Sequence, residues 1–539
     1  MDNNSSRLIA KMQQSDFYPH AVVENIRLVQ THASYVFLTG KYAYKIKKNV
    51  NYGFLDYSTL DKRKYYLDAE LHLNRKIAPE LYLEVLPISN CDNQLILNNS
   101  ANVLEYTLKM RQFPQENLFG NLLKAGKLTC DRMVELGKIV AQFHNNAETN
   151  DYINSFGTVG KISAAFEQNY QQSQKYIGVV QTKKQFTATK VYSDSFFTQR
   201  NDLFLDRVKQ HKIKECHGDL HLKNICLWQD KIQLFDRIEF NESFRFVDTM
   251  YDVAFTVMDL EARKKPEFAN AFLNSYLEYT GDWTGLFVLP LYLSRQAYVR
   301  AKVNSFLLDD SQMSATDKQQ AKQVARDYYR QAYEYTQSKS GSLILMSGLS
   351  GSGKSTVARI IARNQNAIQI RSDAVRKHLA GIPLDQSGTD SIYCEEMTQK
   401  TYDRLLELGI MLATEGYTVI LDAKYDRVSL RQPVIAQAQT NKIPLEIFYC
   451  TAPMSVLCDR LKQRQNDVSD ATADLITTQQ ENAEGFTTAE QAYVIEVDTS
   501  QSNWQQELID LVSLSRVSTR SVQKRADYSS VTVANHLQI

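Results

Sequence analysis

The sequence predicts a two-domain chain: an α+β domain in which a strand-rich lobe precedes a helical lobe, then an α/β domain with a parallel sheet. Three observations carry this. Up to Met110 short apolar runs alternate with turn residues, whereas from Glu116 helical periodicity dominates. After Leu343 strand-like runs alternate with helical stretches, the pattern of a parallel sheet covered on both faces. Between these regions the charged helical stretch Thr316–Gln337 gives way to Ser338, Lys339, Ser340, Gly341 and Ser342, which read as a linker. The expected division is therefore 1–337, a linker at 338–342, a second domain at 343–515, and a polar, patternless, flexible tail over 516–539.

The 539 residues are too many for one hydrophobic core. Hydrophobic residues at 43% and charged residues at 23% are ordinary for a soluble globular protein. A formal net charge of +1 supplies neither the positive field of a nucleic-acid binder nor an acidic excess. The polar residues from Met1 to Gln14 lack the apolar segment of a signal peptide. The longest apolar run, Leu286–Leu293, is broken by Pro290 and too short to span a bilayer. Seven scattered cysteines without a C-x-x-C pair read as small buried side chains in a reducing cytoplasm.

In the first lobe, Val36–Leu38 and Tyr42–Ile46 flank Gly40 and Lys41, a hairpin signal. A helix follows over Thr59–Ile77, then strands at Leu81–Pro87, Leu95–Leu97 and Val103–Met110. The helical lobe holds His217, Gly218, Asp219, Leu220, His221, Leu222, Lys223 and Asn224 in a row, then a strand, Lys231–Phe235, ending in Asp236. The spacing suits phosphoryl transfer: Asp219 accepts the proton of a substrate hydroxyl, Asn224 and Asp236 hold Mg²⁺ on the phosphates of ATP, and His217 orients the loop. Such a site needs a phosphate-contacting lysine and a partner acid upstream. Lys45 and Lys47 share one strand face and either fits; Lys45, central in the strand pattern, is favoured. Glu70, in the helical stretch Leu67–Arg75, is the candidate acid. Asp248 and Asp252 are expected to brace the catalytic loop.

In the second domain the expected strands are Leu343–Met346, Ala367–Ile370, Thr418–Leu421, Leu445–Cys450 and Tyr493–Val497. After the first comes Gly348, Leu349, Ser350, Gly351, Ser352, Gly353, Lys354, Ser355 and Thr356, which fits G-x-x-x-x-G-K-[ST] at every required position. Glycines let backbone N–H groups curl around phosphate oxygens, and the following helix adds its positive end. Lys354 reaches the terminal phosphates and Ser355 ligates Mg²⁺. A chance match in a chain of this length is about one in fifty by average composition, and the strand before and helix after sharpen the assignment. Asp373 and Asp422 stand at strand ends, where parallel sheets bind ligands; Arg460 and Arg464 share one helical face.

The motifs of the first domain resemble the aminoglycoside phosphotransferase family of the protein-kinase-like superfamily, over roughly Val22–Tyr335. The resemblance implies a bilobal kinase-like fold and transfer of phosphate from ATP to a small-molecule hydroxyl. Two departures stand out. The usual glycine-rich loop is replaced by Thr31, His32, Ala33 and Ser34, whose hydroxyl and N–H groups are the alternative phosphate caps. The D-F-G position reads Asp236, Arg237, Ile238. Gly348–Thr356, Arg371–Arg376, Asp422, Arg460 and Arg464 resemble AAA-type P-loop kinases of the polynucleotide-kinase and gluconate-kinase kinds. That resemblance implies Asp373 as the activator of an acceptor hydroxyl, the two arginines as a clamp on the transferring phosphate, and Asp422 on the metal. Runs such as Asn51–Leu60 and Lys109–Pro114 look like a subfamily in which the two modules are fused.

The expectation is thus a bifunctional phosphotransferase with two ATP–Mg²⁺ sites and small-molecule hydroxyl acceptors. One alternative makes a module, the second before the first, a nucleotide-binding regulator or ATPase. Another makes the second module a nucleic-acid end kinase, which the balanced charge disfavours. No membrane association is expected, and no oligomeric state is implied.

Overall fold

The computed structural model describes residues 3–22, 25–53, 55–311, 313–463, 468 and 475–518. Arg464 and the 519–539 part of the expected tail lie outside the described residues; 516–518 close a helix, Trp504–Ser518. Two compact units emerge. One is Met1–Thr129, Gln142–Arg263 and Val288–Thr336; the other is Cys130–Ala141, Lys264–Phe287 and Gln337–Ile539. The second unit therefore recruits two segments that precede the linker.

The first unit opens with strands β1 (Arg27–Gln30), β2 (Ser34–Leu38), β3 (Tyr42–Lys47), β4 (Tyr82–Cys91), β5 (Gln94–Leu97) and β6 (Val103–Arg111). They form one antiparallel sheet in the order β1-β2-β3-β6-β4-β5. Strand alternation sends Tyr44 and Ile46 of β3 into a core with Phe37, Ile88 and Met12, which leaves Lys45 and Lys47 on the opposite face. The helix Leu60–Arg75 is N-capped by Thr59, whose side chain accepts from the Lys62 N–H. Its Leu67 packs with Leu81, Tyr82 and Leu108, and the same face buries Glu70 completely.

The helical lobe carries two small antiparallel pairs. β7 (Ile213–Glu215) pairs with β10 (Phe246–Asp248), and β8 (Ile225–Trp228) with β9 (Lys231–Leu234). Gln229 and Asp230, both at positive φ, close the second pair as a two-residue turn. The helix Thr249–Ala262 is buried continuously from Thr249 to Leu260, so its carboxylates Asp252 and Asp259 have to be paired internally.

The second unit is built on β11 (Ser342–Ser347), β12 (Ile368–Arg371), β13 (Thr418–Asp422), β14 (Leu445–Thr451) and β15 (Val494–Asp498). All neighbours are parallel in the order β12-β13-β11-β14-β15. Burial on both faces explains why β11 is apolar without alternation. The helix Lys354–Gln365 lays Val357, Ala358 and Ile361 on Ile344, Met346 and Phe448. A further helix, Pro266–Thr280, lies along edge strand β12. Asn270 and Asn274 donate to the Ala367 carbonyl at 2.9 and 3.0 Å, and the Gln369 N–H donates to Asn274 Oδ1 at 2.7 Å. These side chains occupy backbone groups that an open sheet edge would expose.

Candidate active sites

The first site is assembled around β3. Lys45 Nζ lies 2.7 Å from Glu70 Oε1 and 2.8 Å from Asp236 Oδ1. Burial alone would lower the Lys45 pKa, but Asp236 and then Glu70 outweigh it and hold the ammonium well above the usual lysine range. Lys47 uses the other oxygen of Glu70, 2.5 Å away, and also pairs with Glu239, to which the Tyr57 hydroxyl donates. Of the two lysines, Lys45 is the one that bridges Glu70 to Asp236. Asp236 sits just past β9 at φ 63°, with its N–H donating to the Tyr82 hydroxyl.

On the catalytic loop, Asn224 Nδ2 donates to Asp219 Oδ2 at 3.1 Å and to the Asp219 carbonyl at 3.0 Å. His221 Nε2 stands 3.4 Å from Asp219 Oδ2. Burial would raise the Asp219 carboxyl; His221, with help from His217 and Arg300, outweighs it and keeps the group below the usual carboxylate range. A carboxylate that stays ionised and is 37% exposed is suited to accept a proton from an acceptor hydroxyl. His217 ties the loop to β9, its Nε2 lying 2.9 Å from the Phe235 carbonyl.

Beneath the loop, Asp252 accepts from the His217 N–H at 2.6 Å and the Gly218 N–H at 2.8 Å, and lies 3.2 Å from His144 Nε2. Cys216 also stands near, but these bonds make the His144–Cys216–Asp252 group a brace rather than an open metal site. Gly218 is required here: at φ 86°, an added Cβ would come within 2.5 Å of the Phe244 carbonyl. Asp248 does not brace the loop as expected. It pairs with Arg207 at 2.8 Å and accepts from the Met250 N–H, because β10 turns it towards the neighbouring helix Asn201–Lys209. The second brace is Asp259, which accepts from the Leu222 N–H at 3.1 Å.

Two further features departed from the sequence pattern. Thr31 Oγ1 accepts from the Ala33 and Ser34 N–H groups, so two donors expected to cap phosphates are used inside their own turn. Arg237, after Asp236, is fully buried. Its guanidinium donates to the carbonyls of Leu73, Glu215 and Cys216, and its N–H to Asn74 Oδ1. This position is pinned to the helix Leu60–Arg75 and to β7.

The second site lies at the carboxyl edge of the parallel sheet. Gly348 leaves β11 at φ 131°, where an added Cβ would stand 2.3 Å from the Cys450 carbonyl. The loop runs to Gly353, which starts the helix Lys354–Gln365 without a side-chain cap, so the positive end of the helix meets the loop. Ser352 Oγ is buried with no hydrogen-bond partner among the described residues. The Ser350 N–H donates to Gln479 Oε1 at 3.1 Å, and Lys354 Nζ to the Leu349 carbonyl at 2.7 Å. Asp422 ends β13, buried, and accepts from Gln369 Nε2 at 2.8 Å. Asp373 is partly buried in the first turn of the helix Ser372–Leu379, just past β12. Ser355 and Asp422 carry oxygen atoms, the kind of donor that Mg²⁺ takes. Arg460 donates to the Gly351 carbonyl, to Thr499 Oγ1 and to the Thr499 carbonyl, stapling the loop to the end of β15. Thr356 is exposed.

The sequence pattern missed Tyr57, Glu239, Asp259, Gln369 and Thr499. No spacing rule marks them, since each acts through a partner distant along the chain.

Residues 343–486 match the family described as AAA domain. The C-terminal module is an AAA-type P-loop domain. The match covers the whole cradle and both candidate carboxylates of that domain. A protein of Mycobacterium tuberculosis (strain ATCC 25618 / H37Rv), described as uncharacterized, is 27% identical over 467 residues, covering 85% of this chain and 90% of the relative. An aligned stretch of that length extends across both modules. Among solved structures, a gluconokinase from Sinorhizobium meliloti 1021 is 22% identical, with a TM-score of 0.25, over 34% of this chain and 99% of that one. The GDP complex of wild-type aminoglycoside 2'-phosphotransferase-IIIa is 10% identical, with a TM-score of 0.38, over 61% of this chain and 99% of that one. The N-terminal part carries the six-stranded antiparallel sheet β1-β2-β3-β6-β4-β5 followed by mainly helical residues.

Proposed function

We propose that the protein is a bifunctional ATP-dependent phosphotransferase whose modules each transfer a γ-phosphoryl group to the hydroxyl of a small molecule. The observation that carries this reading is the ion-pair bridge from Glu70 through Lys45 to Asp236, beside an Asn224-held Asp219. In that module Lys45 binds phosphate oxygens, Glu70 fixes Lys45, Asn224 and Asp236 hold Mg²⁺, and Asp219 takes the hydroxyl proton. When bound, Mg²⁺ neutralises charge developing on the phosphates. In the AAA domain, Gly348–Thr356 cradle the phosphates, Ser355 and Asp422 hold the metal, and Asp373 activates the acceptor. Arg460 and Arg464 neutralise the transferring group. The linker at 338–342 separates the functional modules 1–337 and 343–515, even though the helix Pro266–Thr280 packs with the second unit.

A second reading keeps transfer in the first module and makes the AAA domain a nucleotide-binding regulator or ATPase. It is favoured by Arg460, whose guanidinium is committed to Thr499 and Gly351. No helix among the described residues is long and apolar enough to cross a membrane, and all seven cysteines are free; a cytoplasmic setting belongs to the proposal. Calorimetry with a non-hydrolysable ATP analogue and Mg²⁺ tests the two-site claim. Two equivalents should bind per chain, with Lys354→Ala removing one and Lys45→Ala the other. A single equivalent in the intact chain would overturn it.

A further inference from the structure

The second unit has a half-open cleft of about 250 Å³ between the helices Pro266–Thr280 and Lys354–Gln365 and edge strand β12. None of the cradle residues from Gly348 to Thr356 lines it. Among the described residues its charged walls are Lys138, Arg359, Arg363 and Arg371, with the carboxylate of Glu278. That carboxylate is already engaged, 3.3 Å from Arg371 Nη1. Arg363 Nε is buried and has no hydrogen-bond partner among the described residues. A buried charged donor without an acceptor is costly, and such a group calls for an explanation. Lys138 holds its ammonium 5.1 Å from the centre of the Tyr279 ring. Desolvation and the nearby guanidiniums of Arg371 and Arg363 hold Arg359 below the usual arginine range, against the opposing pull of Asp422 and Glu278.

We infer that this cavity binds a small phosphate-bearing anion. Guanidinium forks match phosphate oxygens in geometry as well as charge, and the ligand would give Arg363 Nε its acceptor. The volume, small for a ligand pocket, suits a phosphate with at most a small organic part. The site adjoins the P-loop carboxylate through two side chains. Gln369 lines the cavity and donates to Asp422, and Arg371 Nε lies 4.0 Å from Asp422 Oδ2. A bound anion would therefore share Arg371 with Asp422.

The test uses the full chain saturated with Mg²⁺ and a non-hydrolysable ATP analogue, so that neither nucleotide site competes. Orthophosphate, pyrophosphate and glucose 6-phosphate are titrated separately; the tightest of them separates an inorganic from an organic source. At least one should bind at a single site. Arg363→Gln and Arg359→Gln should each weaken it about tenfold or more while leaving analogue binding unchanged. Should Arg363→Gln fail to fold, Lys138→Gln, on a partly exposed side chain, reads the same cavity. Absence of binding by all three probes, or binding that none of these variants alters, overturns the inference.

Discussion

Asp252→Ala removes the carboxylate that holds the backbone of the catalytic loop. Asp252 is 0% exposed and accepts from two buried N–H groups, those of His217 and Gly218, at 2.6 and 2.8 Å. Alanine leaves both donors without an acceptor, at about 1–3 kcal/mol each, and removes the carboxylate from beside His144. A loss of about 3–5 kcal/mol is expected, comparable to breaking a buried ion pair. For a unit of this size that lowers its melting transition by roughly 5–8 °C. The pH dependence follows from the carboxyl's shift. Burial would raise its pKa, but the His144 hydrogen bond and the charges of His144 and His217 outweigh it and hold it below the usual range. A folded pKa below the unfolded one means that the stabilisation is complete above about pH 4 and drains as pH falls through the folded value. The gap between wild type and variant should therefore narrow on acidification. Differential scanning calorimetry at neutral and acid pH reads both effects. A shift of less than about 1 °C at neutral pH would refute the brace, since even one orphaned donor costs more.

Three further outcomes are expected. Asp219→Asn should cut N-terminal phosphotransfer by about 10²–10⁴-fold while sparing nucleotide binding, as loss of a general base does; retention of half the activity would assign the proton to another group. Lys45→Met should weaken nucleotide binding more than it destabilises the fold, whereas Lys47→Met should chiefly destabilise, because it leaves Glu70 and Glu239 facing without their shared cation; equilibrium binding and thermal melts on both variants separate the roles. The fragment Ser338–Ile539, made without the helix Pro266–Thr280, should melt below the second unit of the intact chain and aggregate more readily, because β12 loses Asn270 and Asn274 from its edge; an unchanged melt would show that the helix adds no stability.

Much of this architecture can be read from local pattern. The hairpin of β2 and β3, the helix after Thr59, the catalytic loop and the P-loop each declare themselves within a few residues, because turn chemistry, caps and phosphate cradles are local demands. The choice between Lys45 and Lys47 could not be made that way. Both face the same side of β3, and partners far along the chain, Asp236 for Lys45 and Glu239 for Lys47, distinguish them. Arg237 shows the same limit: its N–H meets Asn74 at a separation of 163 residues, and nothing near it in sequence marks a burial site. Asp248 illustrates a different failure. An aspartate shortly after the loop looks like a brace, but β10 presents it to Arg207, and the helix that follows presents Asp252 and Asp259 instead. The helix Pro266–Thr280 precedes the linker yet seals β12, since edge strands are covered by whatever the fold brings near, not by sequence order.

The central claim is that two separate sites in one chain move phosphate from ATP to hydroxyl acceptors. Its most direct test is transfer of ³²P from γ-labelled ATP into a small-metabolite pool by the intact protein, Asp219→Asn, Lys354→Ala and the double variant. Each single variant should lose one set of labelled products and keep the other, and the double variant should label nothing. Labelling that survives the double variant, or that disappears entirely with Asp219→Asn alone, would contradict the account.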